Sequence, residues 1–126
     1  MITGLYAGLL GLLLVVLSVR VIGYRGAKGI SIGDNGDEIM LRRIRAQGNL
    51  VEYAPLALIL LALAEIQGLP SWLVHLFGLI LLAGRLSHAA ALSSPTPRPV
   101  FRVGGMALTF LALGVLSVTS LVLVFL

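Results

Sequence analysis

The chain has 126 residues and a formal net charge of +4, with 59% hydrophobic residues, 11% charged residues and a mean hydropathy of +1.08. Soluble domains carry roughly a quarter charged residues, and a chain this small cannot fold so much apolar surface away from water. These figures exclude a water-soluble globular domain and make the bilayer the solvent.

A helix crossing the hydrocarbon core needs about 20 mostly apolar residues. Residues 1–19 carry no charge. Without the basic leader and clear cleavage site of a signal peptide, they read as a retained first span. Gly4, Gly8 and Gly11 fall on one face of it, a stripe suited to close helix packing. The first connection, GYRGAKGISIGDNGDEIM, is rich in turn formers, and Asp37 is placed to cap the second helix.

The second span is the unusual one. Its uncharged run, residues 53–64, amounts to about 18 Å of helix, too short to cross. Extended back to Ile44 it is long enough, but the extension carries Arg45, Asn49 and Glu52 towards membrane depth. Pro55 is expected to kink this helix and leave the carbonyl of Val51 free. The third span runs from Gly68 through Gly84 towards Leu92, with Trp72 as an interfacial anchor and His75 read as structural or interfacial. Prolines in SSPTPRP delay the fourth helix to Val100. The expectation is an all-α, four-helix membrane bundle forming one domain over residues 1–126, with helices near 2–24, 37–66, 70–92 and 100–126.

All nine Lys and Arg residues belong to the first and third connections or the helix ends beside them. The positive-inside rule therefore places those connections in the cytoplasm and both termini outside. No basic tail or arm points to nucleic acid. The chain has no cysteine, and its two histidines are too few for a metal site.

Around a helix, Arg42, Arg45, Asn49, Glu52 and Tyr53 share an arc of about 100°. An ionised residue at the centre of a spanning helix costs about 2.5–3.5 kcal/mol on insertion scales, so this face needs partners other than lipid. One reading is structural. Arg45 and Glu52, two turns apart, are too far apart to pair like an i, i+4 couple, but Asn49 could bridge them or Arg85 could neutralise Glu52. The other reading is a polar pocket. Arg42, Arg45, Arg85 and Arg102 outnumber Glu52, which suits a ligand with excess carboxylates and one ammonium.

The pattern R-x-x-x-N-x-x-E-Y-x-P, formed by Arg45, Asn49, Glu52, Tyr53 and Pro55, resembles the signature of the MAPEG family, the membrane-associated proteins of eicosanoid and glutathione metabolism. Arg42 and the Ala46–Gln47 pair match its leukotriene-synthase-like branch, and the four-span layout extends the resemblance over essentially the whole chain. The resemblance implies a homotrimer of a bacterial inner-membrane type, with glutathione as co-substrate at subunit interfaces near the cytoplasmic side. Arg45, Asn49, Glu52 and Tyr53 would hold glutathione from one subunit, with Gln47 and Arg25 approaching from a neighbour; the Arg25 match requires a one-residue gap. Arg85 and His88 stand where the family has an arginine and an aromatic or histidine ligand, and Arg42 would belong to the same site. Arg102 would match the arginine that stabilises the glutathione thiolate for attack on a lipophilic electrophile from the bilayer, as a transferase or peroxidase. Ala90, Ala91 and Leu92 depart from the tyrosines that many members carry. Two rivals follow: a family-like binding protein without catalysis, and a small transporter using a buried Glu52.

Overall fold

The structure, a computed structural model, describes residues 1–126 as four helices: α1 Thr3–Lys28, α2 Glu38–Ile66, α3 Ser71–Ser93 and α4 Pro99–Val124. All four are long and apolar enough to cross a membrane. They form an up-and-down bundle in which α2 and α3 are central. Helix α1 packs on α2 and α3, α4 packs on α2 and α3, and α1 and α4 do not meet. Most side chains along the bundle's outside are large and apolar, as a lipid-facing surface requires.

The helix ends follow local chemistry. Helix α1 runs about a turn beyond residue 24 and stops at Gly29, whose left-handed φ of 68° needs no Cβ. Asp37 caps α2 as expected, accepting from the Met40 N–H at 3.0 Å. At the opposite end of the bundle, Glu65 accepts from the backbone N–H groups of Ile2 and Thr3 and from the Thr3 hydroxyl. A residue late in α2 thus supplies the cap that α1 lacks within its own sequence. Helix α2 continues as one helix through Pro55, which lies exposed on its surface.

The closest packing is between α3 and α4. A Cβ on Gly105 would lie 2.6 Å from the Gly84 carbonyl oxygen and 2.7 Å from the His88 backbone nitrogen. At a second close approach, a Cβ on Gly78 would lie 2.4 Å from the Tyr6 ring. Tyr6 in turn reaches His75 Nδ1 at 2.7 Å, which gives His75 a structural role between α1 and α3. The Gly4, Gly8 and Gly11 stripe takes no part in this packing, since a Cβ on any of them would meet nothing in the chain.

Two outcomes follow. Gly105→Ala should destabilise the bundle by about 1–3 kcal/mol, because neither backbone nor its neighbours can yield. Gly104→Ala, which meets open space, should leave the melting midpoint in detergent within error; equal effects would dismiss the close approach. The N–H of Met40 also holds the Asp37 carboxyl below the usual carboxylate range. That stabilisation is present above about pH 4 and lost as the pH falls through the lowered folded value. Asp37→Asn should keep the cap and flatten the acid-side loss of melting midpoint; an unchanged slope would refute this assignment.

Candidate functional site

The polar face of α2 is arranged in three parts at the arginine-bearing end of the bundle. The first is an ion pair. Arg45 contacts both carboxylate oxygens of Glu52, with Nη2 at 3.1 and 3.2 Å and Nη1 at 3.2 Å from Oε1. At two-turn spacing this pair is expected to be looser than an i, i+4 couple. It forms because the long guanidinium stem spans the gap over Gly48, where a Cβ would lie 3.3 Å from Arg45 Nη1. The two side chains remain 46% and 49% exposed. Neither Asn49 nor Arg85 bonds to the Glu52 carboxylate within one subunit.

The second part is interior. Arg85, only 2% exposed, reaches across three helices from α3. Its Nη1 donates to the side-chain and backbone oxygens of Asn49 on α2, and its Nε donates to Thr109 Oγ1 on α4 at 2.9 Å. Its Nη2 lies 3.2 Å from Met106 Sδ. Thr109 passes its own proton to the Gly105 carbonyl at 2.8 Å, leaving its oxygen free to accept from Arg85. Charge-assisted hydrogen bonds contribute about 1.5–3 kcal/mol each, so several of them offset the roughly 2.5–3.5 kcal/mol cost of one arginine at membrane depth. No carboxylate takes part. Tyr53 lies beside this cluster, its ring 5.7 Å from the Arg85 guanidinium and edge-on to Phe110 at 5.5 Å. His88 is buried one turn along α3, within electrostatic reach of Arg85, Arg102 and Arg45.

The third part is a cleft of about 350 Å³ where the start of α2, the end of α3 and the start of α4 converge. Arg42, Arg98 and Arg102 line it with Glu38, while Ala91 and Leu92 form apolar wall. Arg42 also donates to the Ala91 carbonyl at 3.1 Å, tying α2 to the last turn of α3.

Two expected residues lie elsewhere. Gln47 donates to Ser18 Oγ on α1 at 3.2 Å, and Arg25 donates to the Gly33 carbonyl at 2.8 Å, closing the first connection. Both are on the α1 side of α2, away from Arg85 and Arg102 within one chain. Sequence reasoning missed Thr109, Met106 and Phe110. Thr109 had a readable signal: it is the first hydroxyl within the apolar run of α4, four residues after Gly105.

A sequence model of the MAPEG family matches residues 3–122, nearly the whole chain. The chain belongs to the MAPEG family. The inner membrane protein YecN of Escherichia coli K12 is 37% identical over 121 residues, covering 96% of this chain and 91% of that protein. YecN of Escherichia coli O6:H1 (strain CFT073) matches to the same extent. With four apolar helices and an inner-membrane relative, this MAPEG chain is an integral membrane protein. The name of that relative states a location and no activity.

The Arg85 cluster generates a stability test. Asn49→Leu should destabilise the protein by about 1–3 kcal/mol by removing an acceptor from a buried guanidinium. Arg85→Met added to Asn49→Leu should recover part of that loss in a double-mutant cycle, because the stranded charge goes with it. Simple additivity of the two losses would show that the guanidinium is not the source.

Proposed function

We propose that this protein is a membrane-embedded glutathione-binding enzyme, a transferase or peroxidase that acts on a lipophilic electrophile. The observation that carries the proposal is the half-exposed Arg45–Glu52 pair on a spanning helix, beside the carboxylate-free Arg85. A bare ion pair does not persist against lipid, so a partner must cover it. Glutathione offers two carboxylates for guanidinium groups and one ammonium for Glu52. A second subunit would supply the remaining cover, which supports a homotrimer with sites between subunits. In such an assembly Gln47 and Arg25, remote from the site within one chain, would approach from a neighbour.

Arg45 and Glu52 would exchange their mutual pairing for the ligand's charged ends, with Asn49 and Tyr53 beside them and Arg85 and His88 as the inner wall. Arg102, in the cleft with Arg42 and Arg98, would be the arginine that meets sulfur. A thiol is mostly protonated at neutral pH, and a guanidinium directed at sulfur favours the thiolate, which is the nucleophile. No protein nucleophile is needed, in keeping with a chain without cysteine. All nine basic residues lie on the side of connections one and three, which supports placing that side in the cytoplasm and both termini outside. One observation favours a second reading: Ala91 and Leu92 in the Arg102 cleft offer no hydroxyl to a reacting group, as in a binder that has lost turnover.

The test is a glutathione titration of the detergent-purified protein, following heat and ultraviolet thiolate absorbance together. Arg45→Ala and Glu52→Ala should each weaken binding by about tenfold or more, equivalent to about 1.4 kcal/mol, with the assembly intact. Arg102→Ala should bind nearly as well and lose the thiolate signal. Heat without thiolate in the native protein would establish the binder, and no heat at all would refute the proposal.

A further inference from the structure

A second cleft at the arginine-bearing end, of about 200 Å³, lies between α1, the start of α2 and the end of α3. Arg20, Arg42 and Arg43 line it, together with Ser93 and Ser94. Its charge is uncompensated. Of the five acidic residues, none lines it. Asp34 accepts from Gly36 N and Asp37 from Tyr24 and Met40. Glu38 lines the neighbouring cleft, Glu52 is held by Arg45, and Glu65 sits at the opposite end of the bundle. Arg43 stacks over the Tyr24 ring at 4.9 Å and donates to the Arg20 carbonyl at 3.3 Å, so it is held in place without being neutralised.

The backbone dipoles here act in both directions. The start of α2, where Ile39 lines the cleft, favours an anion, while the last carbonyls of α3 oppose one. Arg42 offsets part of that opposition through its bond to the Ala91 carbonyl. Helix-end effects are about 0.3–1 kcal/mol and of opposite sign, so the three guanidinium groups decide the balance.

Depth decides the kind of anion. Arg20 lies about 26 Å along α1 from Thr3, close to the roughly 30 Å thickness of the hydrocarbon core. The cleft is therefore level with phospholipid headgroups. One and two turns deeper on the same face, Val16 and Leu12 are exposed, and they extend from Arg20 as an apolar track for an acyl chain.

We propose that this cleft binds the phosphate of an anionic phospholipid, held by the Arg20 and Arg43 guanidinium groups with Arg42 and the Ser93–Ser94 hydroxyls beside them, its acyl chain lying over Val16 and Leu12. This site is separate from the glutathione reading except for Arg42, and it stands or falls independently.

The experiment is native mass spectrometry of the detergent-purified protein with dioleoyl phosphatidylglycerol, dioleoyl phosphatidylcholine and inorganic phosphate. Phosphatidylglycerol should bind in preference to phosphatidylcholine. Arg20→Gln should weaken it about fivefold, the contribution expected of one basic residue at an anionic surface. Lys28→Gln, an equal loss of charge at the same end of the bundle, should leave affinity unchanged. Arg20→Gln is the informative variant because the Arg20 guanidinium takes part in no ion pair and in none of the bonds that join the helices here. Equal binding of the two lipids, or equal losses from Arg20→Gln and Lys28→Gln, would overturn the site. Displacement of the lipid by inorganic phosphate at matched concentration would assign the cleft to a soluble phosphate and overturn the lipid.

Discussion

Arg85 is 2% exposed, sits about 12 Å inside the end of α3, and is held by uncharged acceptors from α2 and α4. A guanidinium cannot lose its proton, so its surroundings must adapt to it. Asn49 has to face inward, Thr109 has to turn its proton to Gly105, and α3 and α4 have to approach closely enough for those bonds to form. The absent Cβ atoms of Gly84 and Gly105 make that approach possible. Packing, helix register and the position of the polar face of α2 thus depend on accommodating one charge.

This arrangement orients what lies outside it. With Asn49 committed to Arg85, the next polar groups along α2, Arg45 and Glu52, are directed to the surface of the subunit, where they pair with one another over Gly48. The pair keeps the face closer to neutral, but it is too exposed to be a lipid-facing end state. In the proposed function, a carboxylate-free guanidinium inside and an ion pair outside would exchange partners when a zwitterionic ligand and a neighbouring subunit arrive. That is the physical basis for reading the site as a glutathione site.

Much of the architecture was legible in the sequence because lipid imposes strong rules. Uncharged runs of spanning length, arginines gathered at one side and the capping Asp37 all have direct structural counterparts. Less legible were interactions that depend on side-chain reach and on contacts between helices. The Arg45–Glu52 pair reads from spacing as looser than an i, i+4 couple, since spacing rules describe Cβ positions and neglect a long side chain crossing a glycine. Thr109 shows in the sequence as a hydroxyl in an apolar run, but its bond to Arg85 exists only once α4 lies against Gly84. Gly4, Gly8 and Gly11 read as packing residues, yet the close approaches within the chain are made by Gly78, Gly84 and Gly105. Periodicity locates a face without naming its partner.

We propose that the Arg45–Glu52 pair is a ligand-free arrangement that glutathione opens. An electron cryo-microscopy structure of the protein in lipid nanodiscs at saturating glutathione tests it most directly. Density is expected between Arg45 and Glu52, with the pair separated, a ligand carboxylate on the guanidinium and the ligand ammonium on Glu52. An unopened pair covered only by a neighbouring subunit, with no ligand density, would contradict it and make this face a structural clamp.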